Sequence, residues 1–224
     1  MKQITTIGLD LAKHVFQIHG ADAEGSPVIN RKLRRAEVLR FFAKQPACLV
    51  GLEACGSSHY WAREIAALGH EVRVIPPAYV KPFVKRGKTD AADAEAISEA
   101  VTRKTMRFVP IKSAEQQAAA MVLKTRSLLV RQQTQVINAL RAHLSELGII
   151  ASTGTTKVAR LIDIVRDATD ARLPKAARFA LTTLADQIEA LFAQIIKLER
   201  EIVAGAKRDE DMRRLATIPG VGPI

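Results

Sequence analysis

Apolar residues in this chain follow two different periods, and the change between them bounds the folds it can adopt. Up to Pro110 they come in short runs separated by Gly and Pro; from Ser113 they recur at three- and four-residue spacing over long stretches. Short bounded runs suit strands and brief helices, whereas sustained 3–4 spacing suits helices with one buried stripe. A mixed α/β part followed by an all-helical part is therefore expected. With 224 residues and 48% hydrophobic content, the chain has material for a substantial core.

In the first part, 4–11, 15–20 and 28–33 read as three strands. The short Ala12-Lys13-His14 turn and the Gly25-Ser26-Pro27 break make them a meander. Residues 35–44 read as helix and 48–53 as a strand buried on both faces. Ser57 or Ser58 can cap a helix running to about Leu68 and ended by Gly69; the next strand, 71–75, stops at Pro76-Pro77. A meander followed by βαβ units is the element order of an α/β RNase H-like fold. Simple αβ alternation lacks the meander and fits less well.

In the second part, Ile137, Leu140, Leu144 and Leu147 mark a helix over 113–147, and a loop rich in Gly, Ser and Thr follows. After Pro174, the positions Leu181, Leu184, Ile188, Leu191, Ile195, Leu198 and Ile202 form a coiled-coil seam. Two long helices around a turn region predict an all-α antiparallel coiled-coil arm that also offers a surface for self-association. The chain then reaches Ile218-Pro219-Gly220-Val221-Gly222-Pro223. This resembles the opening of a helix-hairpin-helix, whose Gly220 and Gly222 would let backbone N–H groups approach a phosphate. The expected division is thus 1–110 as the α/β domain, 111–208 as the arm, and 209–224 as the start of a further, truncated domain. On this reading the sequence is the front part of a longer protein.

Lys and Arg total 34 against 23 Asp and Glu, a net charge of +11 and a pI near 10.0. Such an excess favours a polyanionic partner, because basic side chains on phosphates release condensed counterions. The two cysteines, Cys48 and Cys55, lie in and after one strand, where a disulfide is geometrically implausible, and both are expected as small core residues. Residues 1–20 lack a continuous apolar core, and no stretch reads as a membrane span. A reducing, cytoplasmic setting without membrane follows as the expectation.

Four acids stand where packing would not choose them. Asp10 ends the run Ile7-Gly8-Leu9, Glu53 ends Leu49-Val50-Gly51-Leu52, and Asp90 and Asp93 sit three apart in Lys88-Thr89-Asp90-Ala91-Ala92-Asp93-Ala94. Each has an ordinary reading: Asp10 as a turn cap, Glu53 as an exposed strand end, Asp90 and Asp93 as helix-start acids favoured by the dipole. Together those readings weaken, since acids placed on one helical face repel one another unless a cation intervenes. Carboxylates converging from two strand ends and a helix suit Mg²⁺, which takes oxygen ligands and keeps company with phosphates. Lys81, Lys85, Arg86 and Lys88, just before the second pair, could draw a nucleic-acid backbone towards it.

The segments Gly-Leu-Asp10-Leu-Ala-Lys, Glu53-Ala-Cys-Gly-Ser and Lys88-Thr-Asp90-Ala-Ala-Asp93-Ala together resemble the DEDD transposases of the insertion sequence 110 family, related to the Piv and MooV DNA invertases. The resemblance implies a RuvC-like domain with Asp10, Glu53, Asp90 and Asp93 as catalytic Mg²⁺ ligands, and DNA cleavage and strand transfer. It also implies a structured guide RNA, a homo-oligomer (dimer or tetramer), and a nucleophilic serine in a C-terminal domain beyond Ile224. Three other readings compete: a RuvC-type junction nuclease, a non-catalytic nucleic-acid-binding remnant, and a phosphotransferase of the sugar-kinase and actin class. The last needs Gly near its strand-borne Asp to cradle phosphate, and Leu11-Ala12-Lys13 provides none.

Overall fold

The structure, a computed structural model, describes residues 3–85, 87, 89–152 and 154–224, without the side chains of 155 and 156. The chain forms two compact units, Met1–Gln117 and Ala118–Ile224.

The first unit is built on a five-stranded sheet ordered β3-β2-β1-β4-β5. Strands β1 (Thr6–Asp10), β2 (Val15–Ala21) and β3 (Pro27–Arg34) form the expected antiparallel meander. After helix α1 (Val38–Phe42), β4 (Leu49–Glu53) joins β1 in parallel; after α2 (Ser58–Ala67), β5 (Glu71–Ile75) joins β4 in parallel. A short helix α3 (Pro77–Val80) and helix α4 (Asp90–Ala100) follow.

Strand alternation sends successive side chains to opposite faces. Ile7, Leu9, Val50 and Leu52 pack with Phe42, Trp61, Ala62 and Ile65 in the core shared with α1 and α2. Gly8 and Gly51, paired across β1 and β4, occupy the other face. A Cβ at Gly8 would stand 2.1 Å from the Ala94 carbonyl oxygen and 2.4 Å from the Ser98 nitrogen; one at Gly51 would stand 2.8 Å from Val101 Cβ. Helix α4 therefore lies directly on the sheet backbone, in a trough that only glycine leaves open.

The first unit extends past Pro110 because its last residues are tied down. Val109 bridges to Val74, and Arg63 Nη1 donates to the Lys112 carbonyl and to Gln117 Oε1, both at 2.6 Å.

Helix α5 (Ala114–Ser145) begins in the first unit and continues into the second, where it shares one core with α6 (Thr155–Arg166) and α7 (Lys175–Arg208). Leu140 and Leu144 of α5 meet Leu181, Ala185 and Ile188 of α7, while Arg126 near the start of α5 pairs with Glu199 near the end of α7 at 2.5 Å. The two long helices thus run antiparallel. The expected stripe on α7 is used: Leu181, Ile188, Leu191 and Ile195 are buried, and Leu184, Leu198 and Ile202 half-buried. Helix α6 adds Val158, Leu161, Ile162 and Val165, so the distal end is a three-helix cluster rather than a simple pair.

Contrary to the sequence reading, α7 is long and apolar enough by composition to cross a bilayer. Its apolar stripe is occupied by α5 and α6, and its Asp186 and Glu189 both pair with Arg166. Helix α8 (Glu210–Leu215), capped by Asp209, leads into the Pro-Gly-Val-Gly turn. There Gly220 adopts φ +81°, and the Val221 N–H donates to the Ile218 carbonyl at 3.0 Å.

Candidate active site

Period two places Asp10 on the same face as Gly8, and Glu53 on the same face as Gly51, so both acids point to the side covered by α4. The parallel register, Leu9 beside Leu52, brings the two strand ends level. On α4 the residues set against the glycine trough are Ala94, Ile97, Ser98 and Val101 or their backbone. Asp90 and Asp93 continue that stripe one turn back, beyond the strand ends. The start of α4 is fixed by Thr89, whose Oγ1 accepts from the Ala92 N–H at 3.2 Å. Sequence reasoning found the acids but not the function of Gly8 and Gly51; the signal was a glycine two residues before each strand-end acid.

Asp10, Glu53 and Asp93 line one cavity of roughly 540 Å³ together with Pro77, Val80, Lys81 and Val84. Burial raises the Asp10 pKa from 3.8 to about 6, and the negative charges of Asp93, Asp90 and Glu53 push it the same way, against a Leu11 backbone hydrogen bond that lowers it. The other three carboxylates thus all act on Asp10. Asp90 does not line the cavity: its side chain is 61% exposed and lies 3.9 Å from Lys32 of β3. Among the described residues, no three His, Cys, Asp or Glu side chains close tightly enough on one point to hold a metal ion. The acids surround the cavity rather than meet inside it.

The loop after Glu53 is held under backbone strain. Ser57 sits at φ +75°, a left-handed conformation unusual for a residue with a Cβ, and it does not cap α2 through its side chain. Ser58 Oγ instead donates to the Cys55 carbonyl at 3.0 Å. Cys55 is exposed on this loop, correcting the expectation that both cysteines are core residues. Cys48 is buried, with its Sγ 3.4 Å from His70 Nδ1, and burial raises its thiol to about 11.

The basic residues separate. Lys81 lines the acidic cavity, whereas Lys85 turns to Glu95 of α4 at 2.5 Å. Arg86 and Lys88 lie outside the described residues. Gly220 and Gly222 belong to the second unit and are exposed.

The family model of insertion sequence 110 transposases matches residues 7–149. This chain belongs to that family. It is 46% identical over its full length to a transposase of Sinorhizobium fredii, 48% identical over 99% of its length to a family 20 transposase of Pseudomonas aeruginosa, and 38% identical over its full length to the transposase for insertion sequence element IS1328 of Yersinia enterocolitica. The chain spans 57% of the first of these relatives and 66% of each of the other two. The family match takes in the sheet from Ile7 onwards, α4 and the glycine trough, so every candidate acid falls within it.

Proposed function

We propose that residues 1–224 form the DNA-handling, metal-binding part of an insertion-sequence transposase whose first unit is RNase H-like, of the RuvC-like type. The observation that carries this reading is the convergence of Asp10, Glu53 and Asp93, from two neighbouring strand ends and one helix, on a single cavity. The sheet order β3-β2-β1-β4-β5, with its opening meander, supports the RNase H-like assignment.

The donor set fits Mg²⁺ in kind: oxygen ligands only, with the Asp10 carboxyl raised to about 6 by burial and, in the same direction, by the charges of its neighbours. Asp10, Glu53 and Asp93 would hold the ion once their side chains turn towards one point, and Asp90, on the solvent side, would complete the set on release from Lys32. Mg²⁺ bound there would polarise a phosphodiester and stabilise the leaving oxygen. Lys81, at the cavity wall, would orient the scissile phosphate.

The whole protein would cleave and rejoin DNA, guided by a structured RNA, with a nucleophilic serine in the part of the relatives beyond this span. A net charge of +11 supports a polyanionic partner, and the exposed Met121, Leu128 and Ile196 support self-association through the helical unit. A cytoplasmic location belongs to the same reading.

The test is Mg²⁺-dependent cleavage of element-end DNA by a chain extended to the relatives' length. Asp93→Asn and Glu53→Gln should each lower the rate at least about 100-fold while DNA affinity stays within about threefold. Cleavage that survives both substitutions would remove the acids from the chemistry. Affinity falling as far as rate would make them structural, leaving the non-catalytic binding reading in place.

A further inference from the structure

The turn formed by α3 and the residues after it has two working faces. Pro77, Val80 and Lys81 line the acidic cavity, whereas Tyr79, Pro82 and Phe83 line a second cavity of roughly 400 Å³ with Arg103, Met106 and Arg107. The second cavity contains no acid among its lining residues. Its floor is firm, because Phe83 and Met106 pack against the buried Ile75, Val80, Ile97 and Val101. The Arg103 guanidinium lies 5.4 Å from the Phe83 ring centroid and is held there by Glu99. Tyr79 is 44% exposed, and its hydroxyl makes no hydrogen bond among the described residues. Arg107, which also lines the cavity, is exposed and forms no ion pair among the described residues.

We propose that this cavity binds an unstacked base of single-stranded nucleic acid, with Tyr79 and the Arg103–Phe83 stack as its walls and Arg107 taking a flanking phosphate. The chemistry selects the ligand. A slot with an exposed ring, a guanidinium plane and an unpaired cation suits a nucleobase and its backbone, which together carry a π-face and negative charge. The volume suits a single nucleotide. A paired base offers no free face, so a duplex gains only the phosphate contacts. One short turn carries lining residues of both cavities, so a strand seated at Tyr79 lies on the same element that borders the carboxylates. The slot would thus position the strand for the acidic centre. The inference rests on the proposed nucleic-acid function and names the contact surface within it.

The test is fluorescence anisotropy with short labelled DNA and RNA strands of one sequence and with the corresponding duplex, across a salt series. Tyr79→Ala should weaken single-strand binding at least about fivefold, the low end for one lost base stack, and duplex binding less than about twofold. Tyr79→Phe should keep wild-type affinity, since the ring and not the hydroxyl is used. Arg107→Gln should reduce the slope of log affinity against log salt by about 0.7 for the single strand. Whichever strand loses more to Tyr79→Ala, DNA or RNA, is the ligand, and either result upholds the slot. The slot is refuted if Tyr79→Ala leaves single-strand affinity unchanged or weakens the duplex equally. If that happens while Asp93→Asn still abolishes cleavage, the slot alone falls. If the unmodified chain binds no nucleic acid, the proposed function falls with it.

Discussion

The two units solve the same problem, burying a helix face, by opposite means. In the second unit α7 buries large side chains, Leu181 and Ile188 against side chains of α5 and α6, with Leu191 and Ile195 also buried further along. In the first, α4 sets Ala94 and Ser98 against a sheet stripped of its side chain at Gly8, and Ile97 with the following Val101 against it at Gly51. The first arrangement is a hydrophobic seam that tolerates adjustment, because side chains can repack. The second, at Gly8, is backbone against backbone, with no flexible atom to give way. That rigidity is what a site needs if acids on a helix are to meet acids on strand ends.

The largest test of this contrast is glycine to alanine. Gly8→Ala drives a Cβ into the α4 backbone and should cost about 4 kcal/mol in urea unfolding, beyond ordinary overpacking because the helix itself must move. A cost below about 1 kcal/mol would mean α4 does not sit in the trough. Next, Leu191→Asp places a charge in the buried stripe of α7 and should cost about 3 kcal/mol or dissociate an oligomer, read by sedimentation together with thermal melting.

A smaller effect separates a site from a core. Asp10 is raised above its unfolded pKa, so its contribution to stability is complete below about 3.8 and is lost as pH climbs through about 6. In the presence of EDTA, Asp10→Asn should therefore be more stable than the parent at pH 8 and equal to it at pH 3.5. The full rise is worth about 3 kcal/mol, which partial exposure discounts to about 1. A destabilised Asp10→Asn at pH 8 would mean that the carboxylate is structural. The smallest change completes the glycine comparison. Gly205 lies inside α7 with open space where a Cβ would go, so Gly205→Ala should raise the melting temperature, by less than about 1 kcal/mol of stability. The same substitution thus changes sign between the units.

Most elements were legible in advance because their signals are local. The meander, the two parallel strands, the end of α2 at Gly69 and the stripe on α7 follow from period, turn residues and length. The exposed Cys55 and the strained Ser57 were not legible, since the loop after β4 takes its conformation from the Ser58–Cys55 hydrogen bonds and its neighbours rather than from propensity. Nor was the division of labour among the basic residues, which depends on α4 presenting Glu95 to Lys85 and β3 presenting Lys32 to Asp90. Tyr79 passed as an ordinary residue, because its exposure beside Arg103 and Phe83 exists only in the folded chain.

Sequence alone determined which residues are acidic at strand ends, where the helical half begins, and the family to which the chain belongs. Those properties reside in residue type and spacing, which need no partner to be read. Tertiary structure decided that three of the four acids share a cavity while Asp90 faces Lys32, and that two glycines hold α4 over the strand ends. The reason is physical: a carboxylate's role is set by what lies within a few ångströms of it. For Asp10 those neighbours come from residues as distant in sequence as Asp93.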